Sequence, residues 1–352
     1  MSRIASLDQF RGYTVAGMFL VNFIGSFAAT PAIFKHHKTY CSYADTIMPH
    51  FFFAVGFAFR LAFLKHRERN GAAAAYRAAV WRCLGLMLIG AVVYQLDGRY
   101  PSWESLRNAG IDGVLSTAFR RNVFQALVHI GVTSLWVLPV IAASRRTQWI
   151  FLAASGALHL ALSHWFWQDW LLANRVIDGG VLGFLTWTIP TLAGSIAYQE
   201  YVDRGPGGAI RAYLRQGAAL MAFGYAISCL TAGGVVAAPP FVAPWHPRDL
   251  WTMSQQSGSV SYLAFSTGLS FAVFALFVQW NDIRGGQWAL FRTLGTNALA
   301  GYVLHGLVSD LVKPFAPKDA PEWYVAAALA VFFAITWAMI RSLEKNNVYI
   351  KL

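Results

Sequence analysis

Charge is scarce in this sequence and acidic charge scarcer still: 12% of its 352 residues are charged, with 16 Asp and Glu against 28 Lys and Arg. Hydrophobic residues make up 57%, aromatics 15%, and mean hydropathy is +0.45. That leaves too little polar surface to cover a soluble protein of this length, so a polytopic membrane protein is expected. Cysteine is nearly absent. Cys41, Cys83 and Cys229 are too few and too unevenly spaced for a disulfide framework, and no CxxC pair points to zinc. No soluble domain, low-complexity tract or internal repeat is visible. No small-residue cleavage site cleanly follows the first apolar run, so an anchored first helix is expected rather than a signal peptide. The net charge of +12 lies in short connectors rather than on one patch, which argues against nucleic acid and matches the distribution that membrane topology leaves.

What is present is a series of apolar runs. A helix needs about 20 mostly apolar residues to cross a bilayer. Runs near 11–30, 45–64, 80–96, 122–142, 148–163, 181–200, 217–238, 259–280, 294–312 and 323–341 predict an all-α, polytopic integral membrane helix bundle of about 10 transmembrane helices, one transmembrane domain over 1–352. The fifth run is short, carries His159 and fits a re-entrant segment as well. Alternate connectors differ in charge. One set holds Lys65, Arg67, Arg69, Arg77, Arg82, Arg145, Arg146, Arg204, Arg211, Arg215, Arg284, Arg292, Arg341, Lys345 and Lys351. The poorer set holds Lys35, Lys38, Arg99, Arg107, Arg120, Arg121, Arg175, Arg248, Lys313 and Lys318. Both termini are therefore expected to be cytoplasmic, which puts His36 and His37 outside. The outer connectors mix aromatics with carboxylates: Trp165, Trp167, Asp169, Trp170 and Asp178, then Trp245, His246, Asp249 and Trp251. Such mixtures suit sugar binding, and they also suit an interfacial aromatic belt.

Two stretches carry chemistry. In Ser6-Leu7-Asp8-Gln9-Phe10-Arg11-Gly12, Asp8 and Arg11 are neighbours on a helix; they form either an ion pair that seats the helix or a cation for an anionic ligand such as a phosphate. Between the first two runs lie His36, His37 and Cys41, with Asn22 before them and Asp45 after; Gln125, Asn297 and His305 interrupt later runs. Polar groups in a membrane are expensive and tend to mark a site. A histidine there can take a proton or an acyl group. A metal set of His36, His37, Asp45 and His50 meets no fixed ligand spacing, and no metal is expected. Cys41 has no evident orienting group as a nucleophile.

These residues also carry a resemblance. Ser-Leu-Asp-Gln-Phe-Arg-Gly leading to Met18-Phe19-Leu20-Val21-Asn22, then Phe34-Lys35-His36, Tyr43-Ala44-Asp45 and Met48-Pro49-His50-Phe51-Phe52-Phe53-Ala54-Val55-Gly56, resembles the heparan-alpha-glucosaminide N-acetyltransferase family. Trp81-Arg82, Val123-Phe124-Gln125-Ala126-Leu127, Leu250-Trp251-Thr252-Met253-Ser254, Gly295-Thr296-Asn297-Ala298-Leu299 and Val348-Tyr349-Ile350-Lys351 follow in the same order. The resemblance covers essentially the whole chain, in the compact form of a bacterial member. It implies a transmembrane acyltransferase of a bacterial inner membrane, moving an acetyl or short acyl group from cytoplasmic acetyl-CoA to an amino sugar or glycan outside. The residues so implicated are His36, His37, Asp45 and Asn22 at the reaction, and Arg11, Arg82, Asp8, Gln125 and Asn297 toward the donor. Trp251, Asp249 and His305 are implicated toward the acceptor. Membrane lipid surrounds the chain, and a homodimer stays open. Two departures stand out: Lys38-Thr39-Tyr40-Cys41 replaces a Trp-Gly element, leaving His36 against His37 open, and Ala126 stands where the family has Arg, a role that would pass to Arg120 or Arg121. The competing classes are a multi-pass transporter of a small polar solute and the acyltransferases that place their histidine within the first span, where this chain has none.

Overall fold

In lipid a backbone has no hydrogen-bond partner but itself, so apolar runs of this length must become helices. The computed structural model describes residues 4–95, 100–120, 124–174 and 176–350, without the side chains of 94, 95, 114–120 and 232. Arg3, Arg99, Arg121, Val123, Arg175, Lys351 and the side chain of Arg120 thus lie outside the described residues. Helices account for all regular structure among the rest: α1 (Ala5–Ile24), α2 (Tyr43–Asn70), α3 (Ala72–Gln95), α4 (Trp103–Arg120), α5 (Ala126–Val137), α6 (Arg145–Leu162), α7 (Gln168–Ala173), α8 (Phe184–Ser228), α9 (Val260–Phe277), α10 (Ala289–Thr296), α11 (Ala298–Val312) and α12 (Glu322–Lys345).

Among the described residues six helical stretches are long and apolar enough to cross a membrane: Tyr43–Asn70, Ala72–Val93, Arg145–Ala173, Gly180–Thr231, Val260–Ile283 and Glu322–Lys345. The other expected runs are helical but differ from expectation. α1 begins at Ala5 rather than Arg11, so Asp8 stands in its first turn, where a carboxylate favours the helix dipole. The apolar helix after Gln125 ends at Val140, and the run expected at 294–312 is broken at Asn297 into α10 and α11. α8 contains two expected runs. At Gly205 the backbone turns to φ 67°, ψ 171°, followed by Pro206, and the chain doubles back. The Tyr213 hydroxyl donates to the Ala197 carbonyl at 2.7 Å and Gln216 to Glu200 at 3.1 Å. A straight helix would hold such pairs about 24 Å apart, so α8 is a helical hairpin with arms 184–204 and 206–228.

Glycine lets backbones touch at two crossings. A Cβ on Gly12 would lie 1.7 Å from the Phe291 carbonyl oxygen and one on Gly295 1.8 Å from that of Asp8, which locks α1 to α10. Gly56 and Gly194 do the same for α2 and the first arm of α8, at 1.7 Å from Thr191 O and 1.9 Å from Phe53 O. Small residues permit this close approach where lipid offers no hydrophobic drive for helix association. Aromatics fill the space around these crossings: Phe10, Phe53, Phe57, Phe271 and Phe274 are fully buried in one cluster, and Trp187, Phe52 and Tyr262 in the next.

Candidate functional site

The site begins at the N-terminus of α2. Ser42 and Asp45 form a capping box: the Ser42 hydroxyl accepts from the Asp45 N–H at 3.3 Å, and Asp45 Oδ2 accepts from the Ser42 N–H at 2.9 Å. Pro49, one turn on, has no N–H to give the Asp45 carbonyl. The Tyr262 hydroxyl of α9 takes that place, donating at 2.6 Å. The buried Asp45 is thus held at its backbone by α9 and at Oδ2 by the cap. Its remaining oxygen, Oδ1, lies 2.8 Å from His36 Nδ1. A carboxylate only accepts, so Nδ1 carries the proton and Nε2 is the basic nitrogen.

His36 lines a cavity of about 740 Å³. Its side chain is 46% open. Beside it in the wall are Asp178 and Gln255, from the connectors before α8 and before α9. The Gln255 amide donates to Asp178 Oδ1 at 3.0 Å, and Gln255 lines the same cavity as His36. Burial pushes the His36 imidazole down, but the hydrogen bond and charge of Asp45, helped by Asp178 and Gln255, outweigh it and hold it above 6.5. Burial also drives the Asp178 carboxyl up to about 7, with Gln255 and His36 pulling the other way.

From there the cavity runs the length of the bundle. On α2 its wall is the stripe Ala44, Met48, Phe51, Val55, Ala58 and Lys65, one helical face at spacings of three, four and seven. Ala44 and Lys65 stand about 30 Å apart at the helical rise, the thickness of a bilayer core. On α1 the wall runs from Asn22 through Met18 to Arg11 and Asp8. The middle is apolar; the far end gathers Asp8, Arg11, Lys65 and Arg82. Asp8 and Arg11 both make further interactions there.

The cavity therefore brings together His36, Asn22, Gln125, Asp8, Arg11 and Arg82, with Asp45 behind His36. The other expected site residues lie off its wall. His37 turns away: its Nε2 donates to the Ala32 carbonyl at 2.7 Å, and its ring stacks on Tyr40. Asn297 clasps the C-terminal tail, donating to the Val348 carbonyl and accepting from the Ile350 N–H, and it is Ile350 that reaches the cavity. Asp249 is spent on its own loop, accepting from Thr231, Thr252 and the Trp251 N–H. His305 stacks on Phe19 and stands behind the wall, 3.4 Å from Asn22 and against Tyr302, both of which line the cavity. Of the outer tryptophans, Trp165 and Trp245 are exposed, while Trp167 is buried and donates to the Gly179 carbonyl; the buried Trp187 of α8 donates to the Asp178 carbonyl. No three His, Cys, Asp or Glu side chains among the described residues form a metal-sized group.

Asp178 and Gln255 are the site residues that motif reading missed. Asp178 carried a signal: like Asp45, it is a carboxylate just ahead of an apolar run, here in Asp-Gly-Gly. Gln255 carried none. No family model matches the chain and no curated protein matches it, which leaves side-chain geometry and the quoted motifs as the grounds for assigning its chemistry.

Proposed function

We propose that this chain is a transmembrane acyltransferase of the kind its motifs resemble. It takes an acetyl or short acyl group from acetyl-CoA on the cytoplasmic side and delivers it to an amino sugar or glycan on the other side. About ten membrane passes, cytoplasmic termini and a bacterial inner membrane belong to the same reading and rest on connector charge and on the resemblance. The observation that carries it is the single cavity that has the His36–Asp45 pair at one end and Arg11, Lys65 and Arg82 at the other. Its shape and polarity fit such a donor: cations for phosphates, an apolar bore for the thioester arm and a basic nitrogen where the acyl carbon would arrive.

In the direct route the acceptor nitrogen attacks the thioester carbonyl and passes a proton to His36 Nε2. The C–N bond forms, the C–S bond breaks, and the proton goes on to the departing thiolate. In the two-step route Nε2 itself takes the acyl group, CoA leaves, and the amine then displaces the imidazole. Asp45 orients the ring and stabilises its positive charge in both.

A transporter of a small polar solute would also use a cavity of this length. Proteoliposomes loaded with glucosamine and given labelled acetyl-CoA outside separate the two: acyl transfer yields N-acetylated sugar and free thiol in equal amounts, whereas transport moves solute with the thioester intact. His36→Ala is expected to abolish the product, and retention of full transfer in both His36→Ala and His37→Ala would overturn the assignment. Acid-quenched enzyme carrying labelled acyl group would identify the two-step route.

A further inference from the structure

We propose that Asp178 is the acceptor-reading residue of this site, its carboxylate receiving the ammonium of a primary-amine acceptor and holding that nitrogen against His36. The inference rests on the acyl-transfer reading and adds to it the group that selects the acceptor.

Asp178 is 3% exposed, and what it shows lies in the cavity wall next to His36. Among the described residues Gln255 is its one hydrogen-bond donor, on Oδ1, and no Lys or Arg pairs with it. A buried carboxylate accepts up to about four hydrogen bonds and is costly to bury without a counter-charge. Among the described residues the cation near this half-satisfied carboxyl is the His36 imidazolium, and once His36 is neutral for the transfer an incoming ammonium supplies the counter-charge. An alcohol brings no charge to replace the lost solvation.

The backbone is held for this purpose. Asp178 has φ 56°, a left-handed conformation uncommon outside glycine, and Gly179 and Gly180 follow at 81° and 59°. Trp187 fastens the Asp178 carbonyl at 2.8 Å, Trp167 the Gly179 carbonyl at 3.2 Å, and the Gly179 N–H donates to Gln256 at 3.0 Å. Such strain persists only where surroundings over-determine it, and here they aim one carboxyl at the cavity. Gln255, which touches Asp178, lines the cavity together with Asp178 and His36, so the two groups share one wall. A carboxyl whose burial places its proton exchange near neutrality can take the first proton from R–NH₃⁺, breaking N–H and forming O–H, and release it outward. The second proton leaves through His36 Nε2 as the amide forms. The sum is ammonium plus thioester giving amide, thiol and one proton.

Asp178→Asn is the sharp variant, because Asn tolerates the left-handed backbone and still accepts from Gln255. With glucosamine as acceptor, its KM is expected to rise roughly tenfold or more, the size of a lost hydrogen bond to a charged group. The KM for acetyl-CoA should stay within about twofold of wild type, a split that general misfolding would not produce. If Asp178→Asn does not fold, Gln255→Ala reads the same site, with a smaller rise confined to the acceptor. Equal losses toward both substrates, or an unchanged glucosamine KM, overturn the assignment to Asp178 and leave acyl transfer standing. A wild type that acetylates none of glucosamine, galactosamine, mannosamine or ethanolamine overturns the acyl-transfer reading and this inference together.

Discussion

His36 owes its character to one oxygen atom of Asp45. Nε2 can accept a proton or an acyl group only when the imidazole is neutral, so the transfer rate should rise with pH through a midpoint above about 6.5. In Asp45→Asn the burial that lowers the imidazole stays while its main counter-charge goes. The midpoint should therefore move to lower pH, and the plateau should fall by roughly 10²- to 10⁴-fold as ring orientation and charge stabilisation are lost. Stopped-time assays of N-acetylated product across pH 5–9 would read both changes. The stability contribution has the opposite slope: a raised histidine stabilises fully below its unfolded value and loses that stabilisation as pH rises through the folded one. His37→Ala, by contrast, should keep the wild-type pH midpoint and most of the activity, since its ring is committed to Ala32 and Tyr40.

Helices bring these residues into register through contacts that no single helix encodes. Pro49 empties the Asp45 carbonyl within α2, and Tyr262 of α9 fills it, so the cap that aims Asp45 is tied to another element. Tyr262→Phe leaves a buried carbonyl unpaired and should cost about 1–3 kcal/mol of stability in detergent denaturation. The α2–α8 crossing is tighter still. Gly194→Ala puts a methyl 1.9 Å from the Phe53 carbonyl oxygen, backbone that cannot yield without parting the helices. A loss of about 1–3 kcal/mol, seen as a lower midpoint of thermal unfolding, is expected, and an unchanged midpoint would mean the helices are not packed this closely.

Across the whole molecule the cavity joins two chemically different ends. Ala58 lies on the cavity stripe of α2 between His36 and Lys65, so Ala58→Trp should fill the bore and suppress transfer from acetyl-CoA at least about tenfold while leaving thermal stability near wild type. Lys65→Ala and Arg82→Ala should each raise the KM for acetyl-CoA, by roughly tenfold where a charge-assisted contact is lost. Neither should change the KM for the acceptor. A donor effect confined to one side of a reconstituted membrane would tie the cationic end to the side from which the donor enters.

Sequence by itself determined that this chain is helical and built around lipid, because the lengths of apolar runs and the shortage of charge admit little else. It also marked His36, Asp45, Asn22 and Arg11 as polar residues in costly places. It left His36 against His37 unsettled, with the preceding Phe34-Lys35 favouring His36, since adjacent loop residues differ in where the backbone points them. Asp249 and Asp178 look alike as carboxylates in outer connectors, yet one folds into its own turn and the other into the cavity. Only the tertiary structure decided these, because a side chain's partner is fixed by contacts across the chain: Tyr262 on Asp45 at a separation of 217 residues, Gln255 on Asp178 at 77. The cavity itself is the space left between helices whose faces each look merely apolar in one dimension.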